Sequence, residues 1–254
     1  QRQMCIRDIC NRVGKVSKQI MVNKVDLDKE KIAKSITSLW ENLREEHYAL
    51  LLKNLSVQHF KKNEIIYKEF ESPTKAMCLI QGKVKIYKDG VGGRNQIVRV
   101  IKPVEFFGFR AYFAGEDYKT AAMAFENCVI AFFPINVLIE LMTANFEIAK
   151  FFIRYLSVEL GRSDDRTVNL TQKHIRGRLA EALLFLKDSY GLEEDGYTLS
   201  IYLSREDLAS LSNMTTSNAI RTLSAFANEK LIAIDGRKIK FIADDELKKI
   251  SKMG

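Results

Sequence analysis

The chain has 254 residues, 46% of them hydrophobic, which suits one large or two modest globular domains and excludes a disordered polymer. Its formal net charge of +8 favours an anionic partner, either nucleic acid or a membrane surface. No run of roughly 18 or more apolar residues appears, so we expect neither a transmembrane helix nor a membrane partner. The four cysteines lack the spacing of a disulfide scaffold and no signal peptide is evident, so we expect a cytoplasmic protein.

The first 25 residues carry an excess of basic side chains, with Asp8 as their one acidic residue. We interpret this basic segment either as a solvated end or as a loose arm for an anionic partner. From Asp26 to Leu55 apolar residues recur at three- and four-residue steps, which predicts helix. The recurring positions are Ile32, Ile36, Leu39, Trp40 and Leu43.

Residues 57–134 change character and predict short β-strands separated by Gly and Pro. The predicted strands are 65–67, 77–80, 83–87, 96–101 and one long run, 121–133. Gln81-Gly82 joins the second and third of these runs as a pair. Lys88-Asp89-Gly90, followed by Gly92-Gly93, is a turn signal. Many short strands at such spacing predict an antiparallel sandwich or barrel.

From Phe146 to about Leu170 the apolar period is helical again, and we predict one long helix. This helix is more apolar than the burial of one face requires, so a second face needs a cover. The cover we expect is the same helix of another copy, in a two-fold dimer with a coiled-coil-like seam. The alternative is burial of the helix against its own barrel. The side chains assigned to the dimer seam are Phe152, Tyr155, Leu156 and Leu160.

Another amphipathic helix is predicted over residues 171–190, with Gly191 as its stop. A loop follows, and then a short strand from Tyr197 to Leu203 is predicted. Near the end of the chain, residues 231–242 alternate around Asp235-Gly236 and predict a β-hairpin.

The segment between this strand and the hairpin predicts a helix-turn-helix. Ser204 and Asp207 resemble a capping box at the start of a helix, and Thr215 caps a second helix. Ser212-Asn213 ends the first helix, because Asn tolerates a left-handed turn. The inward faces are assigned to Leu208, Ala209 and Leu211 in the first helix and to Ala219, Ile220, Leu223 and Phe226 in the second.

In this motif the first turn of the second helix enters the major groove of DNA. Arg221 can bond O6 and N7 of guanine in a bidentate way, and Thr216 and Asn218 can reach phosphates or base edges. The basic hairpin residues Arg237, Lys238 and Lys240 are expected against the duplex backbone. The predicted DNA-binding residues are Arg205, Thr215, Thr216, Ser217, Asn218, Arg221, Arg237 and Lys238.

The order of these parts resembles the CRP/FNR family of transcription regulators, over roughly residues 35–252. The local likeness lies in Leu79 to Tyr87, in the turn Phe106-Phe107-Gly108, and in Ser204 to Ile232. The resemblance implies an α+β protein: an N-terminal antiparallel β-barrel of the cyclic-nucleotide-binding jelly-roll type, a long dimerisation helix and a C-terminal winged helix-turn-helix. It also implies a homodimer on a palindromic double-stranded DNA site, DNA bending and contact with RNA polymerase.

The corresponding division of the chain has four parts. They are a basic segment, 1–25, a β-barrel sensor domain with flanking helices, 26–142, a dimerisation helix, 143–170, and a winged helix-turn-helix domain, 171–254.

The resemblance also locates a possible effector pocket, at Gly108, Phe109, Arg110, Lys119 and Thr120. Cyclic-AMP-binding members have a Gly-Glu pair and an Arg-Ser pair, whereas Phe109 stands here in place of the Glu and Lys119-Thr120 in place of Arg-Ser. Phe cannot accept a hydrogen bond from a ribose hydroxyl, and Lys lacks the bidentate fork of Arg. We therefore expect a signal other than cyclic AMP, or no signal, and the effector stays unassigned.

The recognition helix departs from the family as well. Related regulators often place Glu where Ser217 stands, whereas Arg221 is kept. Ser accepts less selectively than Glu from N4 of cytosine, so the preference at that base is expected to be relaxed or different.

Other family members sense oxygen or nitric oxide through an iron–sulfur cluster or haem. Cys5, Cys10, Cys78 and Cys128 are the candidate thiolate ligands, but the spacing of the first two is incomplete for a cluster. The histidines show no metal-binding spacing, so we expect neither a metal nor another cofactor. We find no nucleophile–base motif, P-loop or zinc spacing and do not expect an enzyme. The remaining rival is a regulatory module of a larger assembly.

Overall fold

The computed structural model describes residues 28–90 and 95–254. The basic segment 1–25, the cysteines Cys5 and Cys10 and the turn residues Gly92-Gly93 lie outside the described residues. The chain forms two compact units: the first holds the residues up to Lys88 with Val98–Ser157, and the second holds Asp89–Ile97 with Val158–Gly254. Within the described residues, no helix combines the length and the hydropathy that a membrane crossing requires.

The first unit begins with two helices, α1 (Lys29–Thr37) and α2 (Glu45–Asn54). Asp28 caps α1, because its carboxylate accepts from the amide of Glu30 at 3.1 Å. Of the helix predicted from Asp26 to Leu55, the parts 29–37 and 45–54 are confirmed, the residues between them are not helical, and residues 26–27 lie outside the described residues. The chain turns between the two helices, where Asn42 takes a left-handed conformation with a φ of 53°.

Two four-stranded antiparallel sheets form the body of the first unit. Their orders are β1-β8-β3-β6 and β2-β7-β4-β5. The strands are β1 (Ser56–Phe60), β2 (Ile65–Tyr67), β3 (Lys75–Gln81), β4 (Val84–Asp89), β5 (Asn95–Ile101), β6 (Phe106–Phe107), β7 (Ala121–Ala124) and β8 (Cys128–Pro134). A short helix, α3 (Arg110–Phe113), lies between β6 and β7. The predicted antiparallel β architecture is confirmed.

Two details of the strand prediction are wrong. The runs 77–80 and 83–87 do not pair, because β3 and β4 belong to different sheets. Gly82 lies in the connection from one sheet to the other and has a φ of +90°. Only glycine fits there, because a Cβ at this position would lie 2.4 Å from the carbonyl oxygen of Asn127. The long run 121–133 is also two strands, β7 and β8, again in different sheets.

Strand β8 is buried on both faces, and this explains its unbroken apolar sequence. Val129, Ala131 and Phe133 pack in the cluster that also holds Trp40 and the helices of this unit. Their alternate neighbours, Cys128, Ile130 and Phe132, pack in a second cluster, between the sheets. Strand β3 divides its side chains in the same way, so these two strands link both cores.

Helix α4 (Ile135–Ala144) follows β8, and the long helix α5 (Phe146–Gln172) follows α4. The long helix predicted from Phe146 is confirmed. Helix α6 (Ile175–Tyr190) ends before Gly191, whose φ of 75° suits glycine and confirms the predicted stop.

The second unit completes its fold with a two-helix motif and a hairpin. The elements are α7 (Arg205–Leu211), α8 (Thr216–Asn228), β9 (Ile232–Asp235), β10 (Lys238–Phe241) and α9 (Asp244–Met253). The hairpin confirms the prediction for residues 231–242. The predicted strand Tyr197 to Leu203 is wrong, since only isolated bridges form there, at Leu199 and Thr198.

A local turn occupies the start of this segment. The Asp195 carboxylate accepts from the amides of Tyr197 and Thr198, at 2.9 and 2.8 Å, and from the hydroxyl of Thr198 at 2.6 Å. The amides of Tyr197 and Thr198 therefore do not donate to a neighbouring strand. The same hydrogen bonds hold the pKa of the Asp195 carboxyl well below its ordinary value.

Candidate nucleic-acid interface

The first helix of the two-helix motif is capped as the sequence predicts. The Ser204 hydroxyl oxygen accepts from the amide of Asp207 at 3.0 Å, and the hydroxyl donates to the Asp207 carboxylate at 2.8 Å. Leu208, Ala209 and Leu211 are buried, which confirms the inward face of α7. The start and the tilt of α7 are thus fixed by local hydrogen bonds and packing.

The turn between α7 and α8 is left-handed at Asn213, with a φ of 50°. The amide of Met214 donates to the carbonyl of Ala209 at 3.0 Å, and Arg178 on α6 donates to the carbonyl of Asn213 at 2.8 Å. The first bond satisfies a carbonyl in the last turn of α7, and the second ties the turn to α6. The predicted ending at Ser212-Asn213 is confirmed.

Thr215 caps α8, because its hydroxyl oxygen accepts from the amide of Asn218 at 3.2 Å. The side chain of Asn218 then accepts from Nη2 of Arg221 at 2.7 Å. Thr215, assigned to DNA contact from the sequence, therefore has a structural task in the cap. Through that cap the first turn of α8 holds a side chain that orients Arg221.

One face of α8 is packed and the opposite face is open. Ala219, Leu223 and Phe226 are buried, as predicted. Ile220 is not: it is 46% exposed, and Thr222 takes the inward place instead. Before Asn228, the last residue of the helix, the outward side chains are Ser217, Ile220, Arg221 and Ser224, which recur at three- and four-residue steps. We call these four residues the reading face.

Sequence reasoning missed Ile220 and Ser224 as members of this face. Thr216 and Asn218 flank the reading face and are half-buried. Thr222 lies four residues before the inward Phe226, so the helical period predicts that Thr222 faces inward. Apolar character predicts instead that Ile220 does. The period was the better guide at this position.

Arg205 lies at the start of α7 and reaches the hairpin. Its Nη2 donates to the carbonyl of Gly236 at 2.9 Å, and its Nη1 is buried with no hydrogen-bond partner in the described part of the chain. Gly236 opens the two-residue turn between the paired residues Asp235 and Lys238, with a φ of 55°. Arg205, which the sequence assigned to DNA contact, thus also fastens the hairpin to the two-helix motif.

The basic hairpin residues differ in what they contact. Arg237 is exposed at the turn. The ammonium of Lys238 lies 5.6 Å from the centre of the Tyr202 ring, and that of Lys240 lies 5.4 Å from the centre of the Tyr197 ring. Lys240 is also 3.7 Å from the Asp195 carboxylate, which offsets its charge.

The residues assigned to an effector pocket lie on either side of α3 in the chain, and each contacts another residue of the first unit. Phe109 is 2% exposed, and its ring centre is 5.0 Å from that of Phe152. Gly108 has a φ of +80°, and its carbonyl accepts from the Tyr118 hydroxyl at 2.9 Å. Thr120 hydrogen-bonds to Tyr67. The aromatic side chain at 109 therefore belongs to the core of the first unit.

The two cations of this loop share one carboxylate. Arg110 donates to Glu116 at 2.9 Å, and Lys119 forms an ion pair with the other carboxylate oxygen. The hydrogen bond from Lys119, and then that from Arg110, lower the pKa of Glu116. Both charges that a phosphate would need are thus balanced within the chain.

The described thiols sit in apolar strands. Cys78 and Cys128 are buried and form no disulfide. Burial raises the pKa of the Cys128 thiol to about 11 and that of Cys78 further above its ordinary value. Across residues 28–90 and 95–254, no group of three or more His, Cys, Asp or Glu side chains is arranged to hold a metal ion.

Of the side chains assigned to the dimer seam of α5, three pack against the chain's own core and one is exposed. Phe152 is 2% exposed and lies in its own core, 5.0 Å from the Phe106 ring, so it offers no surface to a partner. The Tyr155 hydroxyl donates to the carbonyl of Phe106 at 2.9 Å, and Leu156 packs against the same core. Leu160 is 64% exposed.

Known families match both parts of the chain. A model described as a cyclic nucleotide-binding domain matches residues 57–145, and one described as a Crp-like helix-turn-helix domain matches residues 177–250. Together they span more than half of the chain.

Curated relatives are similar over most of their length. A CRP-like cAMP-activated global transcriptional regulator of Mycobacterium tuberculosis is 23% identical over 82% of this chain and 93% of the relative. A global nitrogen regulator of Synechococcus elongatus is 23% identical over 73% of this chain and 85% of the relative.

Solved structures show the same fold. FixK2 from Bradyrhizobium japonicum has a TM-score of 0.70 and 22% identity, over 77% of this chain and 96% of that protein. A CRP/FNR-family transcriptional regulator of Thermus thermophilus has a TM-score of 0.67 and 23% identity, over 78% and 98% of the two chains.

The fold and the capped two-helix motif define a transcription regulator with a cyclic-nucleotide-binding-type domain and a helix-turn-helix DNA-binding domain. The chain belongs to the CRP/FNR family of transcription regulators.

Proposed function

We propose that the chain binds a palindromic operator as a homodimer and reads each half-site with α8. The carrying observation is the reading face, four outward side chains on a helix that is capped at its start and packed on its opposite side. A helix presented in this way fits the major groove, where every base pair has its own pattern of donors and acceptors.

Arg221 is the side chain we assign to guanine. Its guanidinium is exposed and donates to a neutral amide, and no carboxylate of residues 28–90 or 95–254 forms an ion pair with it. Bidentate pairing with O6 and N7 of guanine gives about 1–3 kcal/mol of discrimination. Arg205, Thr215, Thr216 and Asn218, with Ser217 on the reading face, supply further polar contacts.

Arg237 and Lys238 in the hairpin are assigned to phosphates, which position the protein without reading sequence. Both side chains are exposed, and the fastening of the turn by Arg205 fixes where they can reach.

The proposed dimer uses the exposed side of α5. Phe146, Ile153 and Leu160 are 69%, 60% and 64% exposed, and they repeat at intervals of seven residues. We call these three residues the dimer stripe. Large apolar side chains at a seven-residue interval fit a two-stranded seam with a second copy of the helix. A two-fold dimer would present two copies of α8 to successive major grooves, about 34 Å apart.

We propose that the signal is not cyclic AMP, or that there is none. The buried Phe109 and the Arg110–Glu116–Lys119 cluster support this, because a nucleotide phosphate would have to displace Glu116 from both cations. A cyclic nucleotide is the second candidate, favoured by the family match over residues 57–145. Calorimetric titration with cyclic AMP and cyclic GMP distinguishes the two, since a saturable heat favours the second candidate.

The remaining parts of the proposal come from the family. We propose that the dimer bends its operator, contacts RNA polymerase, works in the cytoplasm, has no enzymatic activity and carries no metal cofactor. The burial of both described thiols in apolar strands supports the last of these.

Selection of the preferred duplex from random sequences tests the main proposal. We expect a two-fold symmetric site, bound by a species of dimer mass in light scattering, with an affinity that falls as salt rises. Leu160→Ala is expected to shift the protein toward monomer and to weaken operator binding. A monomeric protein, or one that retains no duplex from the selection, contradicts the proposal.

A further inference from the structure

Ile220 is the large apolar side chain of the reading face. It is 46% exposed, and it lies on α8 beside Arg221 and one turn after Ser217. The packing of α8 does not need it, because Ala219, Leu223 and Phe226 already form the buried face. An exposed apolar side chain is common at protein surfaces, so its meaning here depends on its neighbours.

The neighbours of Ile220 on this face are Ser217 and Arg221, the side chains to which we assign contacts with base edges. Ser217 and Arg221 offer hydrogen-bonding groups, whereas Ile220 can offer none. The base edges in the major groove present one apolar group, the C5-methyl of thymine. We propose that Ile220 reads the methyl group of a thymine in each half-site, near the guanine that Arg221 reads. This inference rests on the proposed function and specifies what the reading face recognises.

The chemistry of Ile220 also disfavours the other pyrimidine. Cytosine presents an N4 amino group in the major groove, and an isoleucine that covers it removes water without accepting a hydrogen bond. A β-branched side chain is stiff at its first torsion in a helix, so Ile220 loses little freedom on contact. Thymine is therefore preferred both by attraction and by the penalty against cytosine.

Replacement of single thymines by deoxyuridine isolates the methyl group. In the selected operator, each thymine of the half-site is replaced in turn, symmetrically, and the Kd is measured by fluorescence anisotropy at one salt concentration. For the unaltered protein, one position is expected to weaken binding about three- to fourfold per methyl group contacted. With Ile220→Ala, this position is expected to become insensitive while the other thymines behave as before.

Two variants serve as controls. Ile242→Ala removes the same atoms from a side chain that is 55% exposed and not on α8, and it should keep the deoxyuridine effect. Arg221→Ala should lose the preference for guanine but keep the sensitivity to the thymine methyl. The thermal unfolding midpoint of Ile220→Ala is expected to fall only slightly, and no further than that of Ile242→Ala, because both side chains are partly exposed.

A half-site without thymine, or an unaltered protein that tolerates deoxyuridine at every position, overturns the inference. So does an Ile220→Ala protein that remains as sensitive as the unaltered one. Failure to bind any selected duplex has a different meaning, since it contradicts the proposed function itself.

Discussion

The loop of residues 108–120 and the reading face of α8 both carry groups that the family resemblance assigns to ligands, yet they treat those groups in opposite ways. In the loop, Phe109 is in the core and both cations contact Glu116. On the reading face, the side chains point outward, and Arg221 contacts a neutral amide. Cations at family-like positions are therefore balanced within the chain in the loop, whereas on the reading face Arg221 keeps its charge exposed.

Removal of the Phe109 ring is expected to have the greatest effect on stability. Because its ring is 2% exposed among other aromatic rings, Phe109→Ala is expected to lower the free energy of unfolding of the first unit by about 3–5 kcal/mol. Urea titration followed by the fluorescence of Trp40, the one tryptophan of the chain, measures this loss. The matched control is Phe113→Ala, at a ring that is 46% exposed, where a much smaller loss is expected. Equal effects would show that Phe109 is not a core residue.

The next effect concerns Arg221. Arg221→Ala is expected to leave the unfolding midpoint unchanged and to remove about 1–3 kcal/mol of discrimination between the operator and a duplex with the guanine replaced. Competition binding measures the ratio of the two affinities. Arg237→Ala is the control, because loss of a phosphate contact should weaken all duplexes alike and reduce the salt slope by about 1. If Arg221→Ala keeps its operator selectivity, Arg221 does not read the guanine.

Substitution of Asn218 tests the same face and is expected to have a smaller effect on discrimination than substitution of Arg221. If its side chain orients Arg221, Asn218→Ala is expected to lower discrimination by about 0.5–1.5 kcal/mol, the usual worth of one hydrogen bond. A double-mutant cycle separates orientation from direct contact. In an Arg221→Ala background, Asn218→Ala should have no further effect on discrimination. Additive losses would instead mean that Asn218 contacts a base edge independently of Arg221, since a phosphate contact by Asn218 would leave discrimination unchanged.

The smallest effect concerns Glu116. Its lowered pKa means that the folded state favours the charged carboxylate, so its contribution to stability is present above the ordinary pKa of Glu and is lost as the pH falls through the lowered value. Thermal unfolding from neutral pH to pH 3 should show this loss, and Glu116→Gln should reduce it. A variant with the same pH profile as the unaltered protein would show that the loop does not balance its own charges.

Local chemistry made much of the second unit predictable. The caps at Ser204 and Thr215, the left-handed Asn213 and the turn at Gly236 each depend on hydrogen bonds or backbone angles within a few residues. Because such features depend on residues that are close together in the sequence, the two-helix motif and the hairpin could be predicted from it.

The errors lie where distant contacts decide. No local signal shows that Gly82 sends β4 to another sheet, because the choice depends on how Asn127 and β7 pack. Phe152 was assigned to a partner although Phe106 and Phe109, which lie much earlier in the chain, cover it. At Ile220 the error has another cause, since apolar character was allowed to outweigh helical position.

The two-sided burial of β3 and β8 has a practical consequence for experiments on this protein. Cys78 and Cys128 each sit in one of these strands, and a thiol with a raised pKa is scarcely ionised at neutral pH. An alkylating reagent should therefore label them only when the sheets part. The rate of labelling would report how often this happens, and a compound that binds and stabilises the first unit would slow it, whatever the chemistry of that compound.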